Sequence, residues 1–329
     1  MAPPFVTFSR NVFIPLTNVC RNKCGYCGFR RDMGHPEAKL LSPVEVTDIL
    51  ERGARAGCSE ALFTFGERPE EVSGFMPLLK ASGYGSIIDY LIELCKLSID
   101  IGLLPHSNPG ILEKDELEEL KPYNASMGLM LETVGTVDAH EGCAGKVPES
   151  RIETIMDAGE LGIPFTTGLL VGIGETWDDR VRSIRAIRDV HEESGNVQEV
   201  IIQNFIPKPG SKMASWHAPG IGEIIKTVSM ARQNLPEDVA IQVSPNLVNP
   251  KELVHCGASD LGGISPETID HINPESPWPD IRKLHDMVCI PLRERLPIYP
   301  QYVKKKWYSK EIEPLIRKLS DAEGFRKTY

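Results

Sequence analysis

The chain has 329 residues, 41% of them hydrophobic, and a net charge of −10 at neutral pH. An acidic chain without a long basic run is not typical of nucleic-acid binders, so we expect no nucleic-acid partner. It has no apolar stretch of about 18 residues, which predicts no membrane span. The first residues, Met1 to Pro4, lack the charged and apolar regions of a signal peptide. We therefore expect a cytoplasmic protein with reduced thiols.

Short apolar runs alternate with helical segments along the chain. The first run covers residues 12–16 and leads into a cysteine-rich loop. The later runs predict strands over 61–65, 103–108, 126–132, 165–171, 197–205, 239–243 and 260–264. Between them the periodicity and the capping residues predict helices over 42–57, 87–101, 113–120, 148–161, 176–193, 221–235 and 251–256.

This alternation predicts the fold class. Continuously apolar strands are typical of strands buried on both faces, and strands that alternate with helices form parallel sheets. Eight such units predict a closed (β/α)8 barrel of the TIM type. The seventh and eighth units are weak, which leaves a partial barrel and a doubly wound sheet as alternatives. We assign residues 1–272 to the barrel and 273–329 to a C-terminal extension packed on it, with helices over 281–292 and 311–319.

Three cysteines follow the first strand. Cys20, Cys24 and Cys27 have the spacing C-x3-C-x2-C. Three thiolates on one loop can hold a soft metal centre, and on a cubane cluster they leave one iron open. A zinc site with a distant fourth ligand is the alternative, although no second C-x2-C or C-x2-H pair is present. We interpret the other cysteines as small buried hydrophobes: Cys58, Cys95, Cys143, Cys256 and Cys289.

The cysteine loop, with Tyr26 before its last cysteine, resembles that of the radical S-adenosylmethionine (SAM) superfamily. The resemblance implies that Cys20, Cys24 and Cys27 bind a [4Fe-4S] cluster and that SAM chelates the open iron. A low-potential electron donor is then required, because cluster potentials reach down to about −700 mV and SAM is reduced only at the low end. In barrels the active site lies at the carboxyl ends of the strands, where the chemistry-bearing residues of this sequence also fall.

Further segments resemble the SAM-binding motifs of the superfamily. Gly66-Glu67 is similar to the motif that meets the methionine amino group, and Glu132 to the acidic residue that holds the ribose hydroxyls. The segment GLLVGIGE, 168–175, resembles the pattern G-x-I-x-G-x-x-E, with leucine at 170 in place of isoleucine. The resemblance implies adenosine contacts for Gly172 and Glu175. It makes Arg180 a candidate for the methionine carboxylate and places Tyr26 near the adenine.

Four longer segments are similar to one branch, the CofG-type deazariboflavin (FO) synthases. They are FTFGERPEE (63–71), LPHSNPGIL (104–112), PFTTGLLVGIGET (164–176) and EVIIQNFIPKPGS (199–211). The resemblance implies a lyase in deazaflavin coenzyme biosynthesis. Its 5′-deoxyadenosyl radical would abstract hydrogen from a hydroxybenzyl- and ribityl-bearing pyrimidine, which cyclises and loses ammonia. It also implies a companion radical SAM subunit of the CofH type.

Candidate substrate residues end the third and sixth strands. Ser107, Asn108, Gln203 and Asn204 can pair with a pyrimidinedione edge or with ribityl hydroxyls. His106 is the candidate that moves the proton needed for ammonia loss. We assign no role to the histidines at 140, 255 and 285.

Two alternative functions remain at this point. One is another radical SAM branch, either the subunit that joins tyrosine to the pyrimidine or a biotin synthase-like sulfur inserter, although the second cluster that an inserter needs is not evident. The other is a non-catalytic metal-binding or interaction protein, which would leave the SAM-like motifs unexplained.

Overall fold

The computed structural model describes residues 3–327, and eight parallel strands in it close into a barrel. Neighbouring strands pair in chain order, and β1 pairs with both β2 and β8, which closes the sheet. The predicted (β/α)8 barrel is confirmed, and the sheet is neither partial nor doubly wound. The strands are β1 Val6–Ile14, β2 Glu60–Thr64, β3 Leu104–Asn108, β4 Ser126–Gly128, β5 Phe165–Val171, β6 Val197–Asn204, β7 Ala240–Gln242 and β8 Asp260–Ile264.

Eight helices occur between the strands. Their bounds are α1 Pro43–Arg55, α2 Phe75–Ala81, α3 Ile87–Ile101, α4 Lys114–Leu120, α5 Pro148–Glu160, α6 Trp177–Ser194, α7 Ile221–Asn234 and α8 Pro250–His255. Helix α1 shows why they form: Ser42 and Glu45 make a capping box, and Pro43 occupies the first helical position. Its buried face includes Gly53, where a Cβ would overlap Val12 of β1. The glycine therefore lets helix and sheet pack closely.

The chain after the barrel adds a ninth strand and three helices. Strand β9, Leu292–Glu294, pairs in parallel with the first residues of β1, below the segment of β1 that pairs with β2. The helices are α9 Ile281–Val288, α10 Pro300–Lys305 and α11 Glu313–Leu319. The predicted helix over 281–292 is too long, because Cys289 adopts a left-handed conformation and ends α9.

A second apolar cluster covers the amino-terminal end of the barrel. Side chains of the barrel and of the C-terminal segment share it: Leu104, Ala125, Leu296, Ile298, Tyr299, Tyr302, Ile312, Leu315, Ile316 and Leu319. The lower end of the barrel is thereby shielded from solvent. Within residues 3–327, no helix is both long and apolar enough to cross a membrane.

Two further elements differ from the prediction. Strand β4 ends at Gly128, not at residue 132, because the Leu131 N–H donates to Thr167 Oγ1 and not to a backbone carbonyl. Glu132, which has φ +65°, then meets β5 through a bridge to Leu169. Helix α2 was not predicted, and its seven residues follow a short 3-10 turn at Pro69–Glu71.

Candidate active site

A cavity of about 380 Å³ extends from the cysteine loop at the carboxyl ends of the strands down into the barrel. Side chains from β1, β2, β3, β5, β6, β7 and β8 line it, and Arg295 and Pro297 lie at its lower end. The cavity therefore has a mouth near the cysteines and a floor closed by the C-terminal segment.

The three cysteines of the loop after β1 all line the mouth. Cys20, Cys24 and Cys27 are half-buried and carry free thiols. The backbone N–H of Glu67 donates to Cys20 Sγ at 3.2 Å, and that of Arg30 donates to Cys27 Sγ at 3.4 Å. Such N–H groups would stabilise thiolates.

The end of β2 packs directly on this loop. A Cβ at Gly66 would overlap the carbonyl of Val19, so only glycine fits there. The next residue, Glu67, accepts from Arg21 Nε at 3.0 Å and from Arg151 at 3.3 Å. A Cβ at Gly145 would overlap the same carboxylate. Glu67 thus ties the cysteine loop to the turn before α5, and its carboxylate is already paired with two guanidinium groups.

Glu132 is a second charged centre at the mouth. Its carboxylate accepts from Tyr26 Oη, from Lys146 Nζ and from His140 Nε2, the last at 2.8 Å. Burial opposes ionisation, but Lys146, His140 and Arg151 together hold the pKa of Glu132 below its ordinary value. His140 and Lys146 are not among the predicted site residues, since nothing in their spacing marks them as partners of Glu132.

Most of the predicted substrate residues line the cavity, but one residue of β3 faces the other side of the sheet. His106 and Asn108 line the cavity, as do Gln203 and Asn204 of β6. Ser107 points outward, because successive side chains of a strand face opposite sides. Its hydroxyl donates to Asn124 Oδ1 at 2.7 Å. The structure therefore does not bring Ser107 to the cavity.

Hydrogen bonds fix the tautomer of His106. Ser126 Oγ donates its proton to the carbonyl of Pro297 at 2.7 Å, so it must accept from His106 Nδ1, also at 2.7 Å. Within the described part of the chain, Nε2 makes no hydrogen bond and is left as an acceptor. Burial, together with the Arg295 charge, lowers the pKa of His106 to about 3, which keeps the imidazole neutral.

A buried charge cluster lies around the cavity floor. Arg295 donates to Asp260 at 2.6 and 2.9 Å and to Glu199 at 3.3 Å. Ser9 donates to Glu60 at 2.6 Å. Burial raises the pKa of Glu60 and raises that of Glu199 to about 8. This cluster is not among the predicted site residues, although a glutamate inside the apolar run of β6 is a signal for it in the sequence.

Comparison with known proteins identifies the family. A model of the Radical SAM superfamily matches residues 14–187. The 7,8-didemethyl-8-hydroxy-5-deazariboflavin synthase of Methanosarcina barkeri is 60% identical over 98% of this chain and 99% of its own length. The enzymes of that name from Methanococcoides burtonii and Archaeoglobus fulgidus are 60% and 51% identical, over 99% and 98% of this chain and 99% of their own lengths. The chain belongs to the radical SAM superfamily and to this synthase family. The family resemblance seen in the cysteine loop and the four longer segments is confirmed.

Two solved structures share the fold. Methylornithine synthase (PylB) has a TM-score of 0.63 at 18% identity, covering 99% of this chain and 84% of PylB. HydG, a maturase of the [FeFe]-hydrogenase, has a TM-score of 0.70 at 16% identity, covering 94% of this chain and 68% of HydG. At these identities the likeness concerns the fold alone.

The donor set of the mouth fits the cluster of a radical SAM protein. Among residues 3–327, no three His, Cys, Asp or Glu side chains surround a point that would hold a single metal ion. All three cysteines line the same mouth. By its chemistry, a set of three thiolates suits a cubane iron–sulfur cluster that keeps one iron open.

Three residues of the predicted SAM motifs, Gly172, Glu175 and Arg180, lie outside the cavity described above. Glu175 accepts from the backbone N–H groups of Gly172 and Ile173, both at 2.8 Å, and from Arg180 Nε at 2.7 Å. Arg180 also pairs with Glu223 at 2.6 Å. None of these side chains lines the cavity, so the structure shows them fixing the β5–α6 turn.

Proposed function

We propose that this chain forms the deazaflavin FO from 5-amino-5-(4-hydroxybenzyl)-6-(D-ribitylimino)-5,6-dihydrouracil, as an ammonia-releasing carbon–nitrogen lyase. The observation that carries the proposal is the three-cysteine mouth above a polar barrel cavity, in a chain 60% identical over nearly its full length to a synthase of that name.

Residues of the mouth are assigned to the cofactors. Cys20, Cys24 and Cys27 would hold a [4Fe-4S] cluster, which when bound supplies the electron that cleaves SAM into methionine and a 5′-deoxyadenosyl radical. Gly66 presents backbone without a side chain beside Cys20, which suits close approach of the methionine end of SAM. Glu132 is ionised and buried at the mouth, and it can accept hydrogen bonds from ribose hydroxyls.

Tyr26 and Glu67 complete the proposed SAM site. The Tyr26 ring lines the mouth beside Glu132 and suits packing against an adenine. We assign Glu67 to positioning the cysteine loop, because its carboxylate already pairs with Arg21 and Arg151 beside the place where the methionine end of SAM would lie. We assign Gly172, Glu175 and Arg180 a supporting role through the β5–α6 turn.

The barrel walls are assigned to the substrate. Asn108, Gln203 and Asn204 line the cavity with amide groups that match the alternating donors and acceptors of a pyrimidinedione. His106 Nε2 is a neutral acceptor facing the same space, and its lowered pKa makes it a weak base. We therefore assign His106 to hydrogen bonding with the substrate and not to the proton transfer of ammonia loss. The enclosing barrel excludes water from the radical.

The proposed reaction requires partners. A companion subunit of the CofH type would supply the hydroxybenzyl pyrimidine, and a low-potential donor would supply electrons. Because the three thiols must stay reduced, we place the enzyme in the cytoplasm.

Anaerobic reconstitution with iron and sulfide tests the proposal. With SAM, a reductant and the hydroxybenzyl–ribityl pyrimidine, the wild type should release 5′-deoxyadenosine and develop deazaflavin fluorescence. Cys24→Ala should lose both, whereas Cys256→Ala, which changes a cysteine outside the cavity, should retain both. 5′-Deoxyadenosine without fluorescence would move the chain to another radical SAM branch, and turnover in Cys24→Ala would contradict the cysteine assignment.

A further inference from the structure

We infer that the cavity floor formed by Asn11, Glu60, His106 and Glu199 binds the ribityl chain of the substrate, so that the enzyme recognises a polyol by its hydroxyl groups. This inference rests on the proposed function and deepens it, because it assigns one end of the substrate to a defined part of the cavity.

The floor offers hydrogen-bond acceptors that the protein leaves open. Asn11 is only 2% exposed, lines the cavity, and its Oδ1 has no partner within the described residues. Glu60, its register partner on β2, lies beside it. His106 Nε2 is a second open acceptor, because Nδ1 carries the proton toward Ser126. An unpartnered buried acceptor is costly, and a ligand donor at this position would remove the cost.

The two floor carboxyls extend the same acceptor surface. Glu60 receives the Ser9 hydroxyl, and Glu199 receives Thr166 at 3.1 Å and Arg295 at 3.3 Å. A carboxylate has about four lone-pair positions, and a protonated carboxyl combines an O–H donor with its remaining lone pairs. Each of the two groups therefore retains capacity for a ligand hydroxyl. Both side chains line the cavity.

The positions of these groups match an extended chain of hydroxyls. Asn11 and Glu60 are direct register partners on β1 and β2, and His106 lies on the next strand, paired with Leu62. Glu199 lies on β6, which is not adjacent to any of these three strands. A ribityl chain carries hydroxyl donors on successive carbons beyond the one bonded to nitrogen, and it can reach several acceptors around one floor. A phenol offers one donor, and a pyrimidinedione presents its few N–H groups in a single plane.

The orientation of the substrate supports the same assignment. Hydrogen abstraction requires the reacting carbon to lie near the cysteine loop, which is at the opposite end of the cavity from Arg295. The ribityl chain takes no part in the bond changes, so it is the part that can extend to the floor. A neutral polyol also suits a floor that already holds several carboxyls beside one guanidinium, whereas a phosphorylated chain would be repelled.

The inference is tested on the full reconstituted chain by comparing the affinities of two ligands for the wild type and for variants of the floor. Binding of FO is measured by its fluorescence and compared with that of the analogue carrying methyl in place of ribityl. The wild type should bind FO more tightly. Asn11→Ala should weaken FO binding by about 3- to 10-fold, because about one hydrogen bond to the ribityl chain is lost. It should leave the binding of the methyl analogue unchanged. Asn124→Ala, an equally buried asparagine outside the cavity, is the matched control and should change neither.

Glu60→Gln keeps the test decisive if Asn11→Ala fails to fold. It preserves shape and should also weaken FO binding selectively over the analogue. Equal affinity of the wild type for both ligands, or equal weakening of both by the floor variants, would overturn the floor assignment. Either result leaves the proposed reaction standing, because that reaction is judged separately by FO formation in the cysteine-variant assay.

Discussion

Two buried glutamates of this barrel are held in opposite protonation states by their surroundings. Glu132 faces Lys146, Arg151 and His140 and stays ionised. Glu199 shares one guanidinium with Asp260, and burial raises its pKa to about 8. At neutral pH the mouth of the cavity therefore carries a carboxylate beside cations, whereas the floor carries a carboxyl that retains its proton. The difference suits an ionic cofactor above and a neutral substrate chain below.

The proton on Glu199 predicts a pH dependence of stability. Because the folded-state pKa of about 8 lies above the ordinary 4.5, the folded protein binds this proton more tightly than the unfolded chain does. The resulting stabilisation is complete below about pH 4.5 and is lost as the pH rises toward 8. Glu199→Gln should therefore reduce the decline in unfolding free energy between pH 5 and 8, by up to about 1.4 kcal/mol per pH unit.

Urea unfolding of both chains at several pH values measures this difference. Glu193→Gln, on the exposed end of α6, is the control and should follow the wild type. Parallel curves for the wild type and Glu199→Gln would show that Glu199 is ionised in the folded protein at all these pH values.

At the scale of elements, the ninth strand connects the C-terminal segment to the barrel through charge as well as packing. Arg295 follows β9 directly and makes a two-bonded ion pair with Asp260, the first residue of β8. Both side chains are buried. Removing one member of such a pair leaves an uncompensated charge in the core.

A double-mutant cycle on this pair should show strong coupling. Arg295→Met or Asp260→Asn alone should lower the unfolding free energy by about 3–5 kcal/mol. The double variant should lose less than the sum, because the remaining charge is then removed as well. The exposed pair Arg182–Asp178 on α6 is the control and should contribute about 0–1 kcal/mol. Additive losses at 260 and 295 would contradict the coupling. The free energies of unfolding of all these variants would be measured by urea unfolding.

The elements also show which parts of the fold the sequence could predict. Strand β5, strand β8 and helix α3 have the predicted bounds, because long apolar runs with clear ends specify them locally. The predicted strand over 126–132 is too long, since the Leu131 N–H donates to the Thr167 hydroxyl and not to a strand carbonyl. Strand β9 is absent from the prediction, because its sheet partner β1 lies almost the whole chain away.

The candidate site shows the same division between local and long-range information. The cysteine loop and the residues at the ends of β2 and β3 follow from spacing along the chain. The partners of Glu132 and the floor cluster do not, because tertiary packing alone brings Arg295 to Asp260 or Lys146 to Glu132. The prediction that Ser107 faces the substrate is wrong, because alternate side chains of β3 point outward and Ser107 is one of these.

At the scale of the whole molecule, the barrel and the C-terminal segment share one apolar cluster and one strand ladder. Leu104 of β3 packs with Leu296 and Ile316, and β9 extends the sheet beside β1. Neither part can bury this surface alone, so we propose that they form one folding unit although the sequence changes character after residue 272.

Unfolding should therefore be a single cooperative transition. Trp307 packs against Tyr302 with ring centroids 5.4 Å apart, so it reports on the C-terminal segment. In a chain whose other three tryptophans are replaced by phenylalanine, Trp307 fluorescence and far-ultraviolet circular dichroism should give the same urea midpoint, since separation would expose the shared cluster to water. A matched chain that keeps only Trp216, beside the β5–α6 turn, should give that midpoint as well. An earlier transition at Trp307 alone would show that the segment unfolds from an intact barrel.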